Sequence, residues 1–416
     1  MKTKKQPESS HTKHQSTGEW EVADIFHGYG EAYRQEYPLP YDHQKVMKAI
    51  MTCRTELLGG HLQQCDSCGF ERLVFHSCRD RHCPKCQTTV KARWLEARQT
   101  ELLPVAYFHL VFTVPHELNM IALGNKKEIG TLLFRAVSQT LLEFGRNPKN
   151  KLGGKIGFIA ILHTWDQKLL DHFHLHCLIP AGALSPDGST WIHPNSDYLF
   201  SVHALSVVFR GKFLDFFKRA YQENRLSFVG KTETFSTENA FQNLLNCLWQ
   251  KEWVVYCKPP LDEPKLILEY LSRYVHRVAI ANQRIINVSN GNVTFTYKDR
   301  QNNTIEECTI KAVEFIRRFL LHVLPKDFMR IRSYGFLANR SKKKDLTRCK
   351  ELLGVKAAPS KMTSTRDLLK EMFGIDITQC PQCTKGKMLN IKEIQPLSET
   401  YTINEVFTMF GQADTS

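Results

Sequence analysis

The sequence predicts an α+β protein in which an antiparallel sheet is flanked by helices, with a small cysteine-rich module before it and a basic extension after it. Three observations lead there. Runs rich in β-branched and aromatic residues at 107–114, 156–163 and 171–180 stand among segments of helical spacing, and the short gap between the last two suits adjacent antiparallel strands. Six of the 13 cysteines fall between Cys53 and Cys86, a density that points to metal ligation. Lys and Arg outnumber Asp and Glu by 56 to 42, for a net charge of +14, which favours a polyanionic partner such as nucleic acid.

The 416 residues suffice for two or three domains, and 42% hydrophobic with 24% charged residues is ordinary for a globular chain. No apolar run reaches the ~18 residues of a membrane span. The start, Met1-Lys2-Thr3-Lys4-Lys5-Gln6, lacks the apolar segment of a signal peptide. A cytoplasmic protein without membrane contact is therefore expected, and its cysteines should be thiols or metal ligands.

Residues 1–18 are polar and aperiodic and are expected to form a disordered tail. The cysteine module occupies 19–104. Within it, Cys65-x-x-Cys68 and Cys83-x-x-Cys86 stand 14 residues apart. A tight turn in each pair aims two thiolates at one ion, and two such knuckles complete a tetrahedral Zn2+ site. Cys53, His61, Cys78 and His82 are left over, enough for a second Zn2+, unless His82 replaces a ligand of the first. Arg72, Arg79, Arg81, Lys85, Lys91 and Arg93 surround these ligands. Such a module is expected to touch phosphates rather than catalyse, because four protein ligands leave no open position on the ion.

A helix over 90–103 leads into the strand at 107–114, which Pro115 ends. Ile129, Leu132, Leu133, Ala136, Val137, Leu141 and Phe144 mark a helix over 126–144. After a polar loop comes the strand at 156–163, then the stretch Asp171-His172-Phe173-His174-Leu175-His176-Cys177. In an extended strand His172, His174 and His176 share one face while Phe173, Leu175 and Cys177 take the other, which is how two or three imidazoles reach one ion. Helices are expected at 203–223 and 237–250, and a short strand at 252–258. The next helix opens at Asp262 with Pro264 in its first turn, and places Tyr270 and Tyr274 one turn apart on one face. By spacing alone these are more readily two core tyrosines. Runs at 285–288 and 293–297 around Asn290-Gly291 read as a hairpin, 304–310 as a further strand and 311–323 as a helix. From Met329 the chain is strongly basic, and Tyr334 and Phe336 interrupt the charges in the manner of a segment that contacts a nucleic-acid backbone and stacks on bases. A solvated surface is the ordinary alternative. Cys380 and Cys383 form a further CxxC with no obvious partners.

Histidines on a sheet, paired tyrosines, zinc knuckles and basic flanks together suit phosphodiester chemistry on DNA. A metal would polarise the phosphate and a tyrosine would attack it. The residues that carry this resemble a known family. His174-Leu175-His176 is the His-hydrophobic-His signature of HUH endonucleases. With HTWDQ (163–167), YLSRYVHR (270–277), RIRSYGFLANR (330–340) and HCPKCQ (82–87), the chain resembles the IS91-type rolling-circle transposases of insertion sequences, relatives of Helitrons, over roughly residues 40 to 390.

The resemblance implies an N-terminal zinc-binding DNA-recognition domain, an HUH nuclease core on an antiparallel sheet over 105–340, and a basic C-terminal region with its CxxC over 341–416. It implies Tyr270 and Tyr274 as paired nucleophiles that cut single-stranded DNA at transposon ends, leaving a 5′-phosphotyrosine and a free 3′-hydroxyl. Mg2+ or Mn2+ is expected on His174 and His176, with Gln167 the preferred third ligand and Asp166 and His163 behind it. His172, further along the same face, is expected at the rim. Arg79, Arg81, Lys85, Arg273, Arg277, Arg332 and Arg340 are expected to contact DNA. Phe173 stands where members often have Pro, on the face away from the metal. The chain carries no GxxxxGK[ST] phosphate-binding loop, so a host helicase or the replication machinery would have to open the duplex. The rival readings are a plasmid replication initiator or relaxase, a non-catalytic zinc-dependent DNA-binding regulator, and a zinc hydrolase built on the three histidines.

Overall fold

The computed structural model of the chain describes residues 20–194, 199–261, 278–299, 302–355 and 376–397, together with Ile267, Asp367, Lys370, Gly374, Ile403, Glu405 and Val406. The expected disordered tail and the two-tyrosine segment, with Tyr270, Arg273, Tyr274 and Arg277, lie outside these residues. In chain order the described elements are α1 (Val22–Glu36), α2 (Tyr41–Thr52), β1 (Gly60–Cys65), β2 (Glu71–Phe75), α3 (Gln87–Gln99), β3 (Tyr107–Thr113), α4 (Asn119–Gly124) and α5 (Lys126–Arg146). There follow β4 (Gly157–Trp165), β5 (Asp171–Pro180), β6 (Ala183–Leu184), β7 (Trp191–Ile192), α6 (Val202–Gln222), α7 (Glu238–Gln250) and β8 (Val255–Leu261). The last are β9 (Ile285–Ser289), β10 (Asn292–Lys298), β11 (Ile305–Lys311), α8 (Ala312–Leu321), β12 (Ile331–Gly335), α9 (Lys342–Leu352) and β13 (Met388–Ile394). None of the described helices is long and apolar enough to cross a membrane.

The centre is a five-stranded sheet in the order β12-β4-β5-β3-β8. All its pairings are antiparallel. Alternation along the strands splits it into two faces. On one, Phe173, Leu175, Cys177 and Ile179 of β5 are at most 1% exposed. They belong to a single core with Phe108, Leu110 and Phe112 of β3, Phe158 and Leu162 of β4 and the apolar stripes of α5, α6 and α7. Burying each such Phe, Leu or Ile side chain stabilises the fold by about 1.5–3 kcal/mol. The α5 stripe is the one the sequence spells, from Ile129 to Phe144.

The opposite face is divided along its length. Tyr107, Ile159, Ile161 and Leu178 form an apolar cluster with Leu95, Leu103, Ile267, Phe336 and Leu346. Beyond them on the same face the strands carry histidines.

The strand β12 places the aromatic residues of the basic segment 329–340 in the packing of the sheet and not on an exposed stacking surface. It pairs with β4, Tyr334 opposite Phe158. Its aromatics are packing residues: Tyr334 stacks on Phe158 with ring centroids 5.0 Å apart, and Phe336 is fully buried. Gly335 ends the strand at φ +63°, where a Cβ would lie 1.6 Å from the Ile156 carbonyl oxygen, so only glycine fits.

A second layer joins chain segments distant in sequence. The hairpin β9–β10 turns on Asn290 (φ 50°) and Gly291 (φ 73°), two left-handed residues in succession, and β11 extends it. This sheet and α8 share a core with α1 and α2, where Phe26 meets Phe319 edge to face at 5.4 Å. A third sheet, in the order β13-β1-β2, draws residues 388–394 back onto the N-terminal module.

Candidate metal centres

His174 lies opposite His163 across the β4–β5 ladder, and His176 lies two residues further along β5 on the same face. The ligand nitrogens of His163, His174 and His176 all fall within 4.8 Å of one another. The three residues are 4, 5 and 8% exposed. His174 Nδ1 sits 2.8 Å from the His172 carbonyl oxygen and so donates to it, which turns Nε2 toward His176. The two Nε2 atoms are 3.0 Å apart. Two nitrogens each about 2.1 Å from one ion at a right angle would stand about 3.0 Å apart, so the spacing fits a chelating pair.

Behind His176 stands a residue that sequence reasoning missed. His109 Nε2 lies 2.9 Å from His176 Nδ1, and the rings stack at 5.1 Å. His109 is 3% exposed, and burial pushes its imidazole down to about 3, so it is neutral. Its signal was present: Phe108, Leu110 and Phe112 take one face of β3, which puts His109 on the histidine face.

Gln167, the preferred third ligand, lies past the end of β4 in the turn to β5, where its carbonyl accepts a hydrogen bond from Arg284 at 2.5 Å. Asp166 caps the same turn, its Oδ1 accepting the Lys168 and Leu170 N–H groups at 2.8 Å each. The third imidazole gathered with the pair is His163, which the sequence placed with Asp166 behind Gln167. His172 is half-buried, its ring 4.7 Å from that of His174. His322, fully buried, holds the turn in place. Its Nε2 donates to the Leu169 carbonyl at 3.0 Å, Nδ1 faces the Thr164 hydroxyl at 3.3 Å, and burial pushes it down to about 4.

The cysteines form two tetrads, and neither is a set the spacing predicted. Cys53, Cys78, Cys83 and Cys86 make one, and Cys65, Cys68, Cys380 and Cys383 the other. In the first, Cys53 and Cys86 sulfurs are 3.4 Å apart and Cys78 and Cys86 sulfurs 3.5 Å. Thiolates held about 2.3 Å from a tetrahedral Zn2+ stand about 3.8 Å apart, whereas a disulfide would bring them to about 2.05 Å. The expected union of Cys65 and Cys68 with Cys83 and Cys86 fails because the former pair sits on the β1–β2 turn, away from the end of α2 that carries Cys53. His61 and His82 are in neither tetrad. The His61 ring packs against His76 at 4.9 Å. His82 is engaged on both nitrogens, Nδ1 3.1 Å from Asp80 and Nε2 accepting the Leu324 N–H at 3.3 Å.

Of the cations expected to meet DNA, Arg81 is committed inside the protein. Its guanidinium donates to the carbonyls of Leu324, Pro325 and Phe328 at 2.7–2.9 Å. Lys85 pairs with Glu21 at 2.7 Å, and Arg332 lies over the Phe134 ring at 4.1 Å. Arg79 and Arg340 are exposed.

Comparison with known proteins matches two segments of the chain to family models. Residues 157–345 match a family model described as "Putative transposase", and residues 25–114 match the transposase zinc-binding domain. A protein of Sinorhizobium fredii named "Putative transposase y4qJ" is 46% identical over 378 residues, 89% of this chain and 95% of that protein. The transposase for insertion sequence element IS801 of Pseudomonas savastanoi pv. phaseolicola is 24% identical over 343 residues, 82% of this chain and 81% of its own length. No solved structure matches the chain.

Proposed function

The chain belongs to the IS91-type transposases, and we propose that it moves its element by nicking and rejoining single-stranded DNA at the element's ends through a covalent 5′-phosphotyrosine. The observation that carries this reading is the pair of Nε2 atoms of His174 and His176, 3.0 Å apart on a buried strand. Such a pair, with His163 beside it, suits a divalent ion that keeps positions open for a phosphate. An all-nitrogen set fits Mn2+, a transition ion, better than Mg2+, whose ligands are oxygens. Bound there, the ion would act as a Lewis acid on a non-bridging phosphate oxygen and orient the scissile bond.

The protein's own groups do the rest. A phenolate oxygen of Tyr270 or Tyr274 attacks phosphorus, the bond to the 3′-oxygen breaks, and that oxygen leaves as a hydroxyl after taking a proton. The phosphotyrosine keeps the bond energy, so a free 3′-hydroxyl can reverse the step and join the strand to a new end. With two tyrosines, one holds the first cut end while the other makes the second cut. Cys53, Cys78, Cys83 and Cys86 hold a structural Zn2+ that shapes the N-terminal module, and the exposed Arg79 and Arg340 contact phosphates. Strand opening falls to a host helicase or to replication.

His109 has a positioning role. A neutral His109 that accepts at Nε2 fixes the Nδ1–H tautomer of His176 and so presents the His176 Nε2 lone pair. His109→Ala is expected to weaken Mn2+ binding by about 10–100-fold, read by calorimetric titration of the metal. His109→Gln, which keeps an acceptor, should restore part of the loss. Unchanged affinity in the alanine variant would remove the role.

The reading is tested by incubating the chain with Mn2+ and a single-stranded oligonucleotide carrying the element's end. A denaturation-resistant protein-DNA band should form and should weaken in Tyr270→Phe or Tyr274→Phe. Strand cleavage without any such band, indifferent to both substitutions, would favour a metal-dependent hydrolase. Binding without cleavage would favour a regulator.

A further inference from the structure

We propose that Cys65, Cys68, Cys380 and Cys383 hold a second Zn2+, which fastens the C-terminal part of the chain onto the N-terminal module. The four sulfurs lie within 4.8 Å of one another. The Cys65–Cys383 and Cys68–Cys380 distances are both 3.7 Å, close to the ~3.8 Å expected of thiolates on one tetrahedral Zn2+. The partners stand 318 and 312 residues apart in the chain. The segment that matches the transposase zinc-binding domain ends at residue 114, so half of this ligand set comes from outside it.

Both halves are built as knuckles. Backbone N–H groups donate to the sulfurs, Ser67 to Cys65 at 3.4 Å and Gly386 to Cys383 at 3.3 Å. Each CxxC is followed by a left-handed residue, Gly69 at φ 72° and Thr384 at φ 56°. Gly386 has no room for a side chain, since a Cβ there would come within 2.4 Å of the Cys65 sulfur. The halves are locked in register by β13 on β1, with Cys65 opposite Met388, and by Asp66, whose carboxylate accepts the Lys387 N–H at 2.8 Å.

The small sheet needs such an ion because its apolar core cannot hold it. Among the described residues its buried cluster consists of Cys65, Cys380 and Met388, with Phe70 and Cys383 packed against them. Leu73, Val74, Leu389 and Ile391 of its strands are exposed. A three-stranded sheet with so little buried surface is stable only with a staple.

The test is zinc stoichiometry of the full chain together with thiol mapping. Metal analysis by mass spectrometry is expected to give two Zn2+ per chain, falling to one in the Cys380→Ala/Cys383→Ala variant and in Cys68→Ser, an exposed position. In the unsubstituted chain, Cys65, Cys68, Cys380 and Cys383 should resist alkylation while the exposed Cys247 reacts, and mild chelation should release the four together. The proposal is overturned if the double variant keeps both ions, or if Cys380 and Cys383 react as fast as Cys247 while zinc content is unchanged.

Discussion

Alanine at His174 or His176 is expected to lower the rate of single-strand nicking by about 10³-fold or more. Charge stabilisation by a bound divalent ion contributes several kcal/mol to phosphoryl transfer, and each ~1.4 kcal/mol is a factor of ten in rate. Either imidazole is half of the pair proposed to chelate the ion, whose Nε2 atoms stand 3.0 Å apart. Losing one leaves a site that no longer grips the ion. His172 supplies the comparison: its carbonyl, which any residue retains, accepts from His174 Nδ1, and its ring lies beside that of His174 without belonging to the gathered imidazoles, so His172→Ala should cost less than about tenfold. Nicking assayed across a Mn2+ titration separates lost affinity from lost chemistry. Unaltered far-UV circular dichroism keeps the comparison within the folded state.

Serine at Cys83 is expected to destabilise the N-terminal module by more than about 4 kcal/mol. Cys83 is fully buried, and with Cys86 it belongs to the core that contains Phe26, Ile50, Phe315 and Phe319. Structural zinc sites of this type carry about 10–16 kcal/mol of apparent binding energy that is also folding energy. An ion in the Cys53 tetrad would therefore support the packing of α1 and α2 on α8, not its own loop alone. Urea unfolding should show an early transition for the variant, and zinc analysis the loss of one ion. Cys247→Ser, exposed on α7, should stay within about 0.5 kcal/mol of the parent. Equal midpoints for the two variants would mean that the tetrad carries no metal.

The parts of this architecture that were legible in the sequence are those written in local periodicity. The stripe of α5, the alternation of β5 and the Asn290-Gly291 hairpin each follow from spacing of 3.6 or 2 and from one left-handed turn. The strand β12 was hidden because Arg330 and Arg332 give it the composition of a surface segment. Only the position of β4 beside it shows that Tyr334 packs on Phe158 and Arg332 on Phe134.

The metal centres divide in the same way. That Cys65 and Cys68 form a knuckle is local, but which knuckle completes it is set by the pairing of β13 with β1, across more than three hundred residues. The orphan CxxC at Cys380 and Cys383 was the available signal. His163 could have been found by carrying the period of two from Ile159 and Ile161 to the end of β4, which places it on the same face as His174.

The proposed chemistry requires a covalent bond between the chain and DNA, and mapping that bond by mass spectrometry tests it most directly. The full chain would be incubated with Mn2+ and a single-stranded end of its element, digested with trypsin and nuclease, and searched for a peptide carrying a nucleotide. The expected result is a phosphodiester from a 5′-phosphate to Tyr270 or Tyr274, absent from the Tyr270→Phe/Tyr274→Phe variant. An adduct that persists in that variant, or one mapped to any other residue, would contradict it.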